Sequence, residues 1–160
     1  MAQQGVSGGV QILHFEDRHQ DDFERLNLAW IEKDFFVEPP DVRQFAAPQA
    51  EIIKPGGAIL IAERAGVAVG TVALMKLADD QYELCKMAVS EAERGNGIGS
   101  ALVEAVIDEA KQLGASLLIL YSHTKLVPAI RLYEKFGFRK VALDPTEHYE
   151  QANIAMALDL

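Results

Sequence analysis

Cysteine is nearly absent from this chain, with a single residue, Cys85, among 160. A lone thiol excludes an internal disulfide framework, and without spaced Cys or His partners it excludes a thiolate zinc site too. The expectation is a reducing, cytoplasmic setting and no metal. Basic charge is also scarce: 15 Lys and Arg stand against 24 Asp and Glu, giving a formal net charge of −9 and a pI near 4.9. That balance argues against affinity gained by neutralising nucleic-acid phosphates, and an amine-bearing partner suits it better. No apolar run reaches the length of a membrane span, and the first nine residues lack both the positive start and the apolar stretch of a secretory signal. Nucleic acid and membrane are therefore not expected as partners, and a homodimer is left open.

With 49% hydrophobic residues, a chain of this length builds one core of ordinary size. Residues 1–9 read as a flexible leader and residues 10–160 as a single domain. A first short strand falls at 10–15. Residues 21–36 place Phe23, Leu26, Trp30 and Ile31 at near-helical spacing behind acidic first-turn residues, with Pro39-Pro40 as the stop, and 41–47 reads as a second short helix. Residues 58–63, 67–77 and 81–89 are rich in Ile, Val, Leu and Ala and are parted by turn residues, which predicts a three-stranded meander. Ile98, Ala101, Leu102, Ala105, Val106, Ala110 and Leu113 then mark the stripe of an amphipathic helix ended by Gly114. A strand at 116–121, a helix at 126–136 ending at Gly137, and strands at 138–143 and 153–160 complete the chain. This order implies a mixed sheet with helices on its faces, an α+β fold.

Arg94-Gly95-Asn96-Gly97-Ile98-Gly99 falls between a strand end and a helix start. Bare backbone N–H groups converge in such a place, and anions bind there. Side chains at Gly95, Gly97 and Gly99 would hold a phosphate away, while the helix dipole adds roughly 0.3–1 kcal/mol. The spacing differs from the phosphate loop, which ends in Gly-Lys-Ser/Thr, and from the dinucleotide fingerprint, which needs glycine where Ser100 stands.

The stretch from Tyr82 to Val89, followed by Arg94-x-x-Gly97-x-Gly99, resembles the cofactor segment of the GNAT superfamily of acyl-coenzyme A dependent N-acetyltransferases. Pro128-Ala129-Ile130-Arg131-Leu132-Tyr133-Glu134-Lys135-Phe136-Gly137-Phe138 resembles the family's later segment, in the expected order. The resemblance implies a mixed, mostly antiparallel sheet flanked by helices, whose fourth and fifth strands splay around a pantetheine arm. It implies acetyl-coenzyme A as acyl donor, transfer to a primary amine of a small molecule or peptide by direct attack in a ternary complex, and no metal. Carried over by position, Met87, Ala88 and Val89 would line the pantetheine, with backbone groups of Met87 and Val89 pairing with its amides. Arg94, Gly95, Asn96, Gly97, Ile98, Gly99 and Ser100 would hold the pyrophosphate.

Transfer needs a neutral amine, yet an alkyl ammonium with a pKa of about 10.4 is mostly protonated at neutral pH. Glu83 stands where some relatives carry a general base; the other reading is an exposed strand glutamate. Tyr133 matches the tyrosine that protonates the departing thiolate and also lies on an apolar helix stripe. Where the family often places an asparagine, this chain has His123, which would contact the cofactor, accept a proton, or cap the next helix. The acceptor pocket is expected from Trp30, Glu32, Phe35, Phe36 and residues 146–149, with Glu32, Glu38 and Glu147 as acidic lures for a cation or as solvated charges. Cys85 reads as packing, because direct attack needs no acyl-enzyme. A non-catalytic acyl-coenzyme A binding or sensing module is the competing reading.

Overall fold

The computed structural model describes residues 9–144 and 150–160 in full and the backbone of 4–6. One sheet of eight strands runs through the described residues in the order β1-β2-β3-β4-β5-β6-β8-β7. These are β1 (Gln4–Val6), β2 (Val10–His14), β3 (Ala58–Arg64), β4 (Val67–Ala78), β5 (Gln81–Val89), β6 (Leu117–Ser122), β7 (Arg139–Val141) and β8 (Ile154–Asp159). Neighbours pair antiparallel except β5 and β6, which are parallel. The mixed, mostly antiparallel sheet is as expected, and the meander falls within a residue of its expected bounds.

Helices cover both faces. On one side α1 (Gln20–Asp34) and α2 (Pro39–Ala46) bury Phe23, Leu26, Ile31 and Phe45 against Ile59, Ile61 and Ala73. On the other, α3 (Ile98–Gln112) and α4 (Val127–Lys135) bury Leu102, Val106 and Tyr133 against Leu74, Leu84 and Leu120. Each fully buried aliphatic or aromatic side chain contributes about 1.5–3 kcal/mol, so these two apolar layers hold the helices on the sheet.

Two features differ from the elements read along the sequence. Gln4–Val6, within the stretch read as a leader, pairs with β2 in the register Gln4↔Ile12 to Val6↔Val10. A backbone ladder needs no apolar side chains, so polarity did not reveal it. Pro39-Pro40 does not stop α1, which has ended at Asp34 with Phe35 already extended at φ −136°, ψ −170°. The prolines instead begin α2, where a missing N–H costs nothing because first-turn N–H groups have no intrahelical acceptor.

Two features of β5 shape the centre of the sheet. Its parallel pairing with β6 covers only Gln81↔Leu117, Tyr82↔Leu118 and Glu83↔Ile119. Beyond Glu83, β5 stays with β4 while β6 stays with β8, so the strands part and each turns an unpaired edge to the gap. These are the fourth and fifth strands of the implied fold, counted one higher because β1 precedes them. The second feature is a bulge: the β4 register runs Thr71↔Ala88, then Ala73↔Cys85, and Lys86 takes φ 53°. One extra residue reverses side-chain parity. Tyr82 and Leu84 face the α3 layer, Cys85 the α1 layer, and Met87 and Val89 the α3 layer again.

Candidate functional site

The gap between β5 and β6 opens a cleft of about 540 Å³. Its walls come from β5, the glycine turn, the start of α3, the end of β6, α4 and the loop after α1. Of the site residues expected from sequence, Glu83, Met87, Ala88, Val89, Arg94, Gly95, Gly97, Ile98, Gly99, His123 and Tyr133 all line it.

At one end lies the glycine turn. Gly97 is the N-cap of α3 at φ 81°, and Gly95 has φ 84°; a Cβ at either would project into open space. These left-handed conformations favour glycine, and they aim the first N–H groups of α3, which precede the first intrahelical bond from Ala101 N–H to Gly97 O, outward as an anion site. Gly99 is glycine for a different reason than phosphate approach. A Cβ there would stand 3.2 Å from Leu132 Cδ2 and 3.4 Å from Met87 Cε, so its absence lets α3 approach α4 and β5. Arg94 is exposed on the rim. Asn96 turns its amide back to Glu93 at 3.3 Å, and Ser100 is half-buried in the first turn of α3. Arg64, which sequence reading did not single out, braces this turn through a two-pronged pair with Glu93 at 3.0 and 2.9 Å.

In the middle of the cleft stand the proton-transfer candidates. Glu83 occupies the last position at which β5 pairs with β6, and burial pushes its carboxyl up to about 7, with Lys86 opposing the shift. A carboxylate tuned to that range suits a base working near neutrality far better than the usual carboxylate value does. Tyr133 is buried on α4, its hydroxyl donating toward Met87 Sδ at 3.8 Å. Burial pushes its pKa well above the usual value, so the hydroxyl holds its proton and serves as a hydrogen-bond donor. Cys85 lines the same wall, and burial, followed by the nearby Glu83 charge, raises its thiol too. A thiol so disfavoured as thiolate is a poor nucleophile.

The far end is aromatic and tied by charge. Trp30 and Phe35 meet edge to face at 6.0 Å, Phe35 and His123 at 5.5 Å, and Lys125 Nζ lies 5.2 Å from the Phe35 ring centre. His123 Nδ1 accepts the Lys125 N–H at 3.0 Å in the loop before α4, one residue short of the helix N-cap at Leu126, and its ring lies on the cleft wall. Trp30, Phe35 and Phe36 line the cleft as expected. Glu32 is exposed on the outer side of α1 and is not part of the lining. Glu38 is neither a lure nor a solvated charge: it is buried and its carboxylate accepts N–H groups of Glu150 and Gln151. Residues 146–149, including Glu147, lie outside the described residues. Sequence reading missed Lys86 and Asp41, a buried ion pair at 2.6 Å on the same wall. The signal for it was there in β5, where the apolar alternation slips phase between Leu84 and Met87. His14 and His19 sit away from the cleft, bonded to Glu109 at 2.8 Å and Glu63 at 2.6 Å. Among the described residues no cluster of His, Cys, Asp and Glu is placed to hold a metal ion, and no helix is long and apolar enough to cross a membrane.

The acetyltransferase (GNAT) family model matches residues 21–138. An N-acetyltransferase of Schizosaccharomyces pombe is 30% identical over 139 residues, covering 84% of this chain and 83% of that protein. The chain spans about two fifths of the length of the rodent N-acetyltransferase 8 relatives that it also matches. Among solved structures, a GNAT acetyltransferase from Staphylococcus aureus superposes with a TM-score of 0.86 over 94% of this chain and 99% of that one, at 20% identity. An acetyltransferase from Salmonella typhimurium, solved with acetyl-CoA, superposes with a TM-score of 0.75 over 95% of this chain and 94% of that one, also at 20% identity. Those two likenesses concern the fold.

Proposed function

Because this chain belongs to the GNAT acetyltransferase family and is an acetyl-CoA-dependent acetyltransferase, we propose that it passes the acetyl group to a primary amine of a small molecule or peptide by direct attack in a ternary complex. One observation carries this reading. Glu83 from β5 and Tyr133 from α4, far apart in sequence, line one cleft whose end is the glycine turn at the start of α3.

Each residue then has a task. The N–H groups around Gly97 and the Arg94 guanidinium hold the pyrophosphate, and the unpaired edge of β5 at Met87 and Val89 takes the pantetheine amides in place of a strand partner. Glu83 takes a proton from the incoming ammonium or its amine, freeing the nitrogen lone pair. The C–N bond forms as the C–S bond breaks, and Tyr133 donates its proton to the departing sulfur. From the ammonium two protons leave the nitrogen: one passes through Glu83 to solvent, and the other, released as the C–N bond forms, restores the proton that Tyr133 gave to the sulfur. Cys85, held as a thiol, takes no acetyl group. The cytoplasmic setting belongs to the same proposal and is supported by the lone, buried thiol.

The test is thioester consumption across amino acids, polyamines, aminoglycosides and peptide N-termini. Turnover with some amine, and initial-rate lines that intersect, support direct attack. Binding of acetyl-CoA without turnover on any of them would instead mark a binding or sensing module.

A further inference from the structure

The aromatic end of the cleft is bounded by a segment that joins two loops. Gln151 grips the backbone of Phe36 from both sides: the Phe36 N–H donates to Oε1 at 3.0 Å, and Nε2 donates to Phe36 O at 2.7 Å. The same Nε2 donates to Glu38 Oε2 at 2.8 Å, and Glu38 also accepts the Glu150 N–H at 2.8 Å and the Gln151 N–H at 3.3 Å. Two residues on, Asn153 does the equivalent for the loop after β6. Its N–H donates to Ser122 O at 3.0 Å, its Oδ1 accepts the Thr124 N–H at 3.0 Å, and its Nδ2 donates to Thr124 Oγ1 at 3.1 Å. Residues 150–153 thus tie the loop after α1 to the loop after β6, and the Phe35–His123 ring contact closes the same span directly.

We infer that this strap is a specificity element that admits a small free amine to Glu83 and keeps an extended polypeptide out. The inference rests on the transfer reading and narrows its acceptor. Gln151 and Ala152 line the same cleft as Glu83, so the strap forms part of the acceptor wall. The bonds to Glu38 involve a buried carboxylate, the strong kind of hydrogen bond and the costly kind to leave unmade. These bonds fix the wall in place, so it yields to an extended chain only where several of them part together. The whole cleft, about 540 Å³, is the size of one ordinary ligand pocket, roughly 300–1,000 Å³. Gln151 and Asn153 are positioning residues here, because they act through the loops they tie.

The experiment compares kcat/KM for small amines with that for hexapeptides bearing the same amine, in wild type and in Gln151→Ala/Asn153→Ala, with the acetyl-CoA Kd measured alongside. Wild type should favour the small amine by about 10-fold or more, and the variant should narrow that ratio by about 10-fold. The acetyl-CoA Kd should stay unchanged, a split that general loosening of the fold would not give. Equal use of peptide and small amine by wild type overturns the inference while leaving transfer standing, and decides the matter even where the variant fails to fold. An unchanged ratio in a folded variant also overturns it. Absence of transfer to every amine overturns the transfer reading itself, and the strap's role with it.

Discussion

The ammonium of Lys86 lies 2.6 Å from an Asp41 carboxylate oxygen, and the two side chains are only 6% and 7% exposed. The pair fastens the bulge of β5, where Lys86 holds φ 53°, to the first turn of α2. Asp41 has a second duty there, its Oδ2 accepting the Glu38 N–H at 2.9 Å. The bulge, the α2 start and the strap that Glu38 holds are therefore one connected unit.

Removing one partner of a buried ion pair deprives the other charge of its nearest counter-charge. Asp41→Asn keeps an acceptor for the Glu38 N–H but loses the charge, and it should lower the unfolding free energy by about 3 kcal/mol in urea titration. Asp41→Asn/Lys86→Met should recover part of that loss. A single-variant effect under about 1 kcal/mol would show that the Lys86 ammonium is well served by other neighbours.

The two glycines of the turn should separate in effect. Gly97→Val places a β-branched residue at φ 81° in the anion site, so acetyl-CoA should no longer raise the melting temperature. Gly99→Ala meets the end of the Leu132 side chain at 3.2 Å and lies outside the left-handed region, so its effect should appear first in the stability of the unliganded protein and stay within about 1 kcal/mol. An unchanged acetyl-CoA Kd in folded Gly97→Val would contradict the placement of the pyrophosphate.

Burial raises the folded-state pKa of Glu83 to about 7 from the usual 4.5. Folding therefore favours its protonated form, a contribution to stability that is full below about pH 4.5 and is lost as pH rises through about 7. Glu83→Gln should accordingly be more stable than wild type above neutrality, with the difference closing toward pH 4. In turnover the sign is opposite: wild-type kcat/KM should rise with pH through about 7, and Glu83→Gln should lose that limb together with about 10²-fold of rate. A pH–rate profile identical in both would return Glu83 to a structural role.

Much of this was legible in the sequence for physical reasons. The stripe from Ile98 to Leu113, the apolar runs parted by turn residues in 58–89 and the glycines at 95, 97 and 99 each reflect a periodicity, a composition or a conformation that the local chain enforces. What stayed hidden depends on contacts distant in sequence. Nothing near Gln151 signals that its amide would meet Phe36, and Asp41 read as a helix residue until α2 docked it beside Lys86. Pro39-Pro40 misled because proline breaks the interior of a helix but suits its first turn, and the sequence does not say which turn it occupies. Gln4–Val6 was hidden because strand pairing at an edge is a property of backbone.

Tyr133→Phe removes one hydroxyl and keeps the ring that meets Phe138 at 5.8 Å, so stability and acetyl-CoA affinity should change little. Donation to the leaving sulfur should then show as a loss of about 10²-fold in single-turnover rate with the best amine. Equal rates would mean that water or another group protonates the sulfur.

The central claim is that acetyl passes straight from the thioester to an amine bound in the same cleft. Rapid-quench single turnover, tracking acetylated amine, free coenzyme A and the mass of the protein, tests it most directly. Acetylated amine and coenzyme A should appear together at one rate, only when both substrates are present, with no acetyl group on the protein and the same outcome in Cys85→Ala. Coenzyme A released before any amine is added, with a matching acetyl mass on the protein, would contradict it.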